Sequence, residues 1–397
     1  MKYPLLENAF SNNDIKKGIQ VLKTKQITMS KQTSDFEKIF RRQNKSNFAL
    51  MCNSGSSANL LMVATACNPL RKNFLKKNDE VLIPAVCWST SLWPIIQYGL
   101  KPIFVDIDIK TLNIDIEDLK KKISKKTRAI MLVHILGLST DMDELIKICK
   151  KNKLILFEDT CESLGTTYRS KNLGNFGDFG SYSFYYSHQI TSGEGGMVVC
   201  KDKNDYQILK CLRSHGWSRN TKLHNFYKKK YKNLNEKFLF INSGYNLRPL
   251  DVTAAIAKNQ YKRLNYFKKI RNFNRNLIIK KIINNKKWKN QFEFINPPKF
   301  INASWFGLPI LINNKFVKKK EKFLNFLDKI GIENRPIVSG NFLNQPAIEL
   351  YKMKIKGKFN NAQKIEDSGF FIGLHTKKIS EKLANFISKG LLKIDEL

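Results

Sequence analysis

Between Phe48 and Cys200, short apolar runs recur with helical spacers between them, and this alternation limits the fold more than any other feature of the chain. Phe48–Cys52, Val81–Val86, Pro102–Val105, Ala129–Leu136 and Leu154–Phe157 are each four to eight residues long and rich in β-branched or aromatic residues. That is the length and composition of buried strands. Ile116–Ile123 and Met142–Lys150 read as helices between them, and Asn53-Ser54-Gly55-Ser56-Ser57-Ala58-Asn59 opens another over Leu60–Ala66. Strands separated by helices return in the same direction, so the pattern predicts an α/β fold with a mainly parallel sheet covered by helices on both faces.

Three segments follow from the same reading. Residues 1–45 form an N-terminal arm with helices over about Asn13–Lys23 and Ser34–Arg42. Residues 46–250 form a large domain. Residues 251–397 hold a connector helix, Ala254 to about Ile283, and a smaller α+β domain with a strand at Trp305–Ile312 and amphipathic helices at Phe316–Lys329 and Asn361–Ser368.

Composition excludes several function classes. The formal net charge of +37 invites a nucleic-acid reading, but Lys, Asn and Ile are abundant throughout and no nucleic-acid-binding motif accompanies them. Runs such as Lys228-Lys229-Lys230 read as solvated faces, and the charge suits attraction of an anionic small substrate better. Seven cysteines stand singly with no C-x-x-C pair, so no disulfide framework, zinc site, iron–sulfur cluster or other metal site is expected. No run approaches the ~18 apolar residues of a membrane helix, and the N-terminal MKYPLLENAFSNND has no apolar signal region, so the expected location is the cytoplasm.

The stretch Gly180–Cys200, GSYSFYYSHQITSGEGGMVVC, carries the chemistry. It reads as a strand over Ser181–Tyr186, a polar glycine-bearing turn that presents His188, and a second apolar strand over Met197–Cys200. Elsewhere the residues alone leave two readings open. Ser54-Gly55-Ser56-Ser57 at a strand-to-helix turn suits a phosphate, yet is also an ordinary N-cap. Asp159, ending the run Leu154–Phe157-Glu158-Asp159, faces the ligand crevice of an open α/β sheet or caps a helix. Trp88 stacks on a flat ring or packs in the core or at an interface.

Ser181-x-Ser183-Phe184, the few residues to position 188, and Gly193-Glu194-Gly195-Gly196 resemble the motif of the DegT/DnrJ/EryC1/StrS sugar aminotransferase family. These are fold-type-I enzymes that use pyridoxal 5′-phosphate (PLP) on nucleotide-linked keto sugars. The resemblance runs from Tyr3-Pro4-Leu5 to Phe371-Ile372-Gly373-Leu374-His375. It implies that Ser56, Ser57 and Ser183 hold the cofactor phosphate, Trp88 stacks on its ring, Asp159 holds the ring nitrogen protonated and Glu162 lies within reach. It implies also that Asn246 reaches the cofactor phosphate of a partner subunit, making a homodimer with composite sites. His215, Arg219 (suited to a diphosphate), Arg248 and Asn341 are the substrate-binding candidates.

At the position of the family's Schiff-base lysine this chain has His188, and no lysine occurs between Lys171 and Lys201. PLP, or its amine form PMP, must then be held without a covalent link, and His188 is left as a general base and acid. Within the family the likeness is to the deoxygenating branch with histidine here. The implied activity is loss of the C3 hydroxyl from a nucleotide-linked 4-keto-6-deoxyhexose, a GDP-linked 4-keto-6-deoxymannose, for dideoxysugar and O-antigen synthesis. Glutamate is the implied amino donor and ammonia a product. Gln189 stands where that branch has a second histidine. The alternatives are a nucleotide-sugar aminotransferase, an iron–sulfur CDP-sugar 3-dehydratase, disfavoured because only Cys200 and Cys211 follow the glycine turn, and a non-catalytic sugar- or cofactor-binding paralogue.

Overall fold

The structure is a computed structural model that describes residues 1–7 and 9–397. Seven strands form the central sheet: β1 (Phe48–Cys52), β2 (Glu80–Pro84), β3 (Lys101–Val105), β4 (Thr127–Val133), β5 (Ile155–Asp159), β6 (Phe179–Ser183) and β7 (Gly196–Cys200). Their order across the sheet is β1-β7-β6-β5-β4-β2-β3. The run from β6 through β5, β4 and β2 to β3 is parallel, and only β7 opposes its neighbours. Both faces are covered: Leu50 and Cys52 of β1 enter one buried cluster, while Ala49 and Met51 enter the other. A strand buried on two sides has no need of polar alternation, which is why these strands read as continuous apolar runs.

Four elements depart from the sequence reading. The strand expected over Ala129–Leu136 stops at Val133, and Ile135–Gly137 is a tight turn with Leu136 at φ 52°. Two side-chain acceptors turn it: Glu162 Oε2 takes the Leu136 N–H (2.9 Å) and Ser163 Oγ takes the Gly137 N–H (3.0 Å). The strand expected to reach Tyr186 ends at Ser183, leaving Tyr185 and Tyr186 exposed. The connector is two helices, Asp251–Tyr261 and Leu264–Ile283, and Arg263 at the break pairs with buried Asp14 at 2.6 Å. Phe316–Lys329 divides into a 3-10 stretch, Asn314–Lys319, and an α-helix, Lys320–Lys329.

A second sheet of β8 (Phe292–Phe294), β9 (Gly307–Ile312), β10 (Asn334–Arg335) and β11 (Gly369–Gly373) is antiparallel throughout, in the order β8-β9-β11-β10. The N-terminal segment lies along it, with Tyr3 bridging Ile332 and its hydroxyl donating to the Gly373 carbonyl at 2.8 Å. The chain after β10 is tied to the loop after β2, where the Ser339 hydroxyl donates to Cys87 O (2.7 Å) and the Phe342 N–H to Ala85 O (2.9 Å). These ties set the second sheet over the C-terminal ends of β4, β5 and β6. Among the described residues no helix is long and apolar enough to cross a membrane.

Candidate active site

A cavity of ≈ 560 Å³ opens at that junction. Ser56, Trp88, Asp159, Glu162, Ser183 and His188 all line it, so six of the sequence-named residues converge on one space from four separate stretches of chain. Such convergence at the carboxyl ends of parallel strands is where open α/β sheets bind ligands.

One wall is the N-terminus of the helix Gly55–Ala66. Ser54 caps it, its hydroxyl oxygen accepting from the Ser57 N–H at 3.0 Å. Ser57 also pairs through its hydroxyl with Ser54 at 3.0 Å, and it does not line the cavity, whereas Ser56 does. A Cβ on Gly55 would stand 2.5 Å from Ser183 Cβ, so the end of β6 lies directly against the helix N-terminus only because Gly55 has no side chain. Ser183 and the uncapped helix amides together form a corner whose chemistry suits an anion. Trp88 is 56% exposed at the cavity rim, at the N-cap of the helix Ser89–Gln97. It is therefore not a core residue.

Two acids end β5, and the structure separates their roles. Glu158 is fully buried and accepts from the amides of Gly174 (2.8 Å), Phe176 (2.7 Å) and Gly177 (2.6 Å) and from His134 Nε2 (3.0 Å). Burial alone would raise it, but these donors hold its carboxyl below the ordinary range. Asp159 points into the cavity. Its Oδ2 accepts from Asn59 Nδ2 and the Ser91 hydroxyl, both at 2.7 Å, and its Oδ1 from the Cys161 N–H at 3.1 Å. Ser181 in turn donates to Asn59 Oδ1 at 2.6 Å. All these donors are neutral, and no Lys or Arg pairs with this carboxylate among the described residues. Asn59 and Ser91 carry no motif of their own; Asn59 lies four residues after Gly55, on the same helix face, and that spacing is the one signal that could have found it.

His188 sits on the turn after β6. Its Nδ1 is 2.6 Å from the Cys161 carbonyl oxygen, which can only accept, so Nδ1 carries the proton. Nε2 is left with a lone pair and no hydrogen-bond partner among the described residues. Phe306 lies edge-on to the ring at 5.0 Å between centroids. Burial, aided by the charge of Arg271, brings the imidazole down to about 4 against the opposing pull of the Cys161 carbonyl and Asp159. The ring is thus neutral near pH 7. Glu162 moves the other way: burial, with Asp159 adding to it, brings it up to about 7, although the Leu136 N–H holds its anion. Gln189, buried beside His188, donates to the carbonyls of Glu162 and Ser304 and so braces the turn.

His215, Arg219, Asn246, Arg248 and Asn341 do not line this cavity. The first four share another surface, where residues 214–217 bridge to 240–246 and Arg219 lies 5.1 Å over the Trp217 ring. Arg248 Nε donates to Asn246 Oδ1 at 3.0 Å. Around them Phe226, Phe238 and Phe240 are 57–62% exposed. Asn341 is buried, capping the turn Phe342–Asn344 behind the wall that Arg335, Pro336 and Val338 present. Arg335 is the one Lys or Arg on the cavity lining among the described residues.

Comparison with known proteins places this geometry. Residues 8–389 match the model of the DegT/DnrJ/EryC1/StrS aminotransferase family. A GDP-4-keto-6-deoxy-D-mannose 3-dehydratase of Escherichia coli O55:H7 is 38% identical over 386 residues, covering 96% of this chain and 98% of that protein. The solved structure of an E. coli GDP-4-keto-6-deoxy-D-mannose-3-dehydratase with bound hydrated PLP superposes with a TM-score of 0.90 at 36% identity, over 98% of this chain and 99% of that one. A variant of such an enzyme with bound GDP-perosamine gives 0.89 at 36% identity, over 98% and 100%. The fold expected from the sequence, that of a PLP-dependent aminotransferase with a mainly parallel sheet, is the fold observed. With its family motif matched along nearly the whole chain and its cavity built from those same motif residues, this protein belongs to the DegT/DnrJ/EryC1/StrS aminotransferase family.

Proposed function

We propose that this protein is a PLP-dependent 3-dehydratase of a nucleotide-linked 4-keto-6-deoxyhexose, GDP-4-keto-6-deoxymannose by the likeness of its relatives. The observation that carries the reading is His188: the family's lysine position holds an imidazole, and among the described residues no lysine lines the cavity.

The residues present fit PLP. Gly55, Ser56 and Ser183 at the helix N-terminus suit its phosphate, and the Gly55 cradle admits no Cβ. Asp159, a buried carboxylate held by neutral donors alone, suits a protonated ring nitrogen. Trp88 at the rim offers a stacking face, and Glu162 stands beside the same space. When bound, the cofactor supplies an electron sink next to the reacting carbons. With His188 in the lysine position, it is held without a covalent bond to the protein.

The chain's own groups then divide the work. His188 Nε2 takes a proton from the reacting carbon, and the resulting imidazolium, strongly acidic in its buried setting, returns one readily. The Cys161 carbonyl keeps the tautomer that leaves Nε2 free. Phe306, Val338 and Phe371 narrow the cavity and limit water. The overall balance needs no further reductant. Glutamate and the sugar give 2-oxoglutarate, ammonia and the 3-deoxy sugar, glutamate supplying the two electrons that replace C–OH by C–H. Without a lysine to recapture the cofactor, dehydration outruns amine transfer.

The exposed aromatic surface bearing Asn246, Arg219, Arg248 and His215 supports a homodimer in which these residues complete the partner's site. A cytoplasmic location is consistent with nucleotide-sugar and glutamate substrates. The test is to incubate the protein with PLP, glutamate and GDP-4-keto-6-deoxymannose and follow ammonia and sugar mass. Ammonia with loss of one oxygen from the sugar supports the reading; an aminated sugar without ammonia overturns it in favour of an aminotransferase.

A further inference from the structure

Arg271, on the helix Leu264–Ile283, is 1% exposed. Its Nη1 donates to the Trp305 carbonyl at 3.0 Å and its Nη2 to the His188 carbonyl at 3.3 Å, while Nε has no partner among the described residues. Arg71, Arg213 and Arg263, by contrast, each meet a carboxylate (Asp205, Glu37 and Asp14) within 3.0 Å. Burial brings the Arg271 guanidinium down to about 10, so it stays charged at neutral pH. A buried, uncompensated cation opposes folding, and persists where something uses it. What it touches here is the carbonyl of His188 itself.

We propose that Arg271 is a positioning residue for His188: it clamps the turn that presents the imidazole against the Trp305 main chain, and it sets a fixed positive charge behind the ring. The proposal rests on the role given to His188 above. Titratable and charged groups stand around the ring on several elements. From the end of β5 come Asp159, Glu162 and the Cys161 carbonyl; from its own turn, Tyr185 and Glu194. Phe306 and Arg335 close the side of the second sheet, and Arg271 approaches from the connector helix. Asp159 favours the imidazolium and Arg271 opposes it. Removing Arg271 takes away a charge that opposes Asp159, burial still opposing it, and leaves the turn held on one side fewer.

The experiment uses the PLP-loaded protein. The chain has five histidines, so a ¹⁵N-histidine NMR titration resolves His188 once its signals are assigned by their loss in H188N. In R271M the His188 midpoint moves up by about half a pH unit or more, and kcat falls ~10-fold or more while KM for the nucleotide sugar changes little. R271K restores the midpoint, because it restores the charge, but only part of kcat, because one ammonium cannot span both carbonyls as the guanidinium does. An unmoved midpoint with kcat within about twofold of wild type overturns the proposal. Should R271M fail to fold, R271K decides alone: wild-type kcat there overturns the clamp. The titration needs no turnover, so a wild-type protein inactive as a dehydratase would sink the proposed function and leave the Arg271 result readable.

Discussion

Replacing Asp159 by Asn separates the cofactor's needs from those of the fold. The carboxylate accepts three hydrogen bonds, two on Oδ2 from Asn59 and Ser91 and one on Oδ1 from the Cys161 N–H. An amide in the same place keeps its oxygen under the first two donors and turns its NH2 toward the Cys161 N–H, donor against donor. One lost hydrogen bond costs about 1 kcal/mol, and removal of a buried charge that has no cation partner among the described residues offsets part of it. D159N should therefore fold with a stability within ~1 kcal/mol of wild type. Binding tells a different story. A charge-assisted bond to a protonated ring nitrogen is worth ~1.5–3 kcal/mol, which is about 10- to 150-fold in PLP affinity. Spectrophotometric titration with PLP measures this directly, with urea unfolding as the control. D159N that binds PLP within twofold of wild type, or that turns over at the wild-type rate, would refute the assignment.

Other perturbations follow from the same geometry. W88A should leave stability within ~0.5 kcal/mol because Trp88 is more than half exposed, yet weaken PLP binding, as seen in the same titration. G55A forces a Cβ to 2.5 Å from Ser183 Cβ, an overpacking of ~1–3 kcal/mol that should lower both Tm and PLP affinity; wild-type values for both would contradict the cradle. The pH dependence of stability tests Glu162. Burial raises its carboxyl from the ordinary 4.5 to about 7, so between these values the folded state binds more protons than the unfolded, and this group's contribution is lost as pH rises. His188, brought from 6.5 to about 4, acts oppositely and loses its contribution as pH falls through that window. E162Q removes only the first effect, so its Tm relative to wild type should climb by roughly 1–3 °C between pH 4.5 and 7. A flat difference across that range would mean that Glu162 is not held in its protonated form.

The sheet was legible because its strands are buried on both faces, and their apolar runs survive any choice of loop. What misled the reading was local. Nothing in Ala129–Leu136 marks the point at which two side chains from residues 162 and 163 capture its amides and bend it. The motif residues Ser56, Trp88, Asp159, Glu162, Ser183 and His188 reached one cavity because a motif records chemistry at fixed positions on strand ends. Ser91 and Arg271 were invisible for the converse reason, and Asn59 had only its spacing from Gly55. Each acts through a partner distant in sequence, and an isolated Ser or Arg on a helix has no pattern to announce it. In the pair Ser56-Ser57, Ser56 lines the cavity while the Ser57 oxygen accepts from the Ser54 hydroxyl.

The measurement closest to the central claim compares product partition in wild type and H188K, each supplied with PLP, glutamate and GDP-4-keto-6-deoxymannose, by sugar mass spectrometry with an ammonia assay. If His188 is what turns this family's chemistry from amine transfer to deoxygenation, the wild type releases ammonia and a sugar lacking one oxygen, and H188K releases neither. Deoxygenation by H188K at the wild-type rate would contradict that claim.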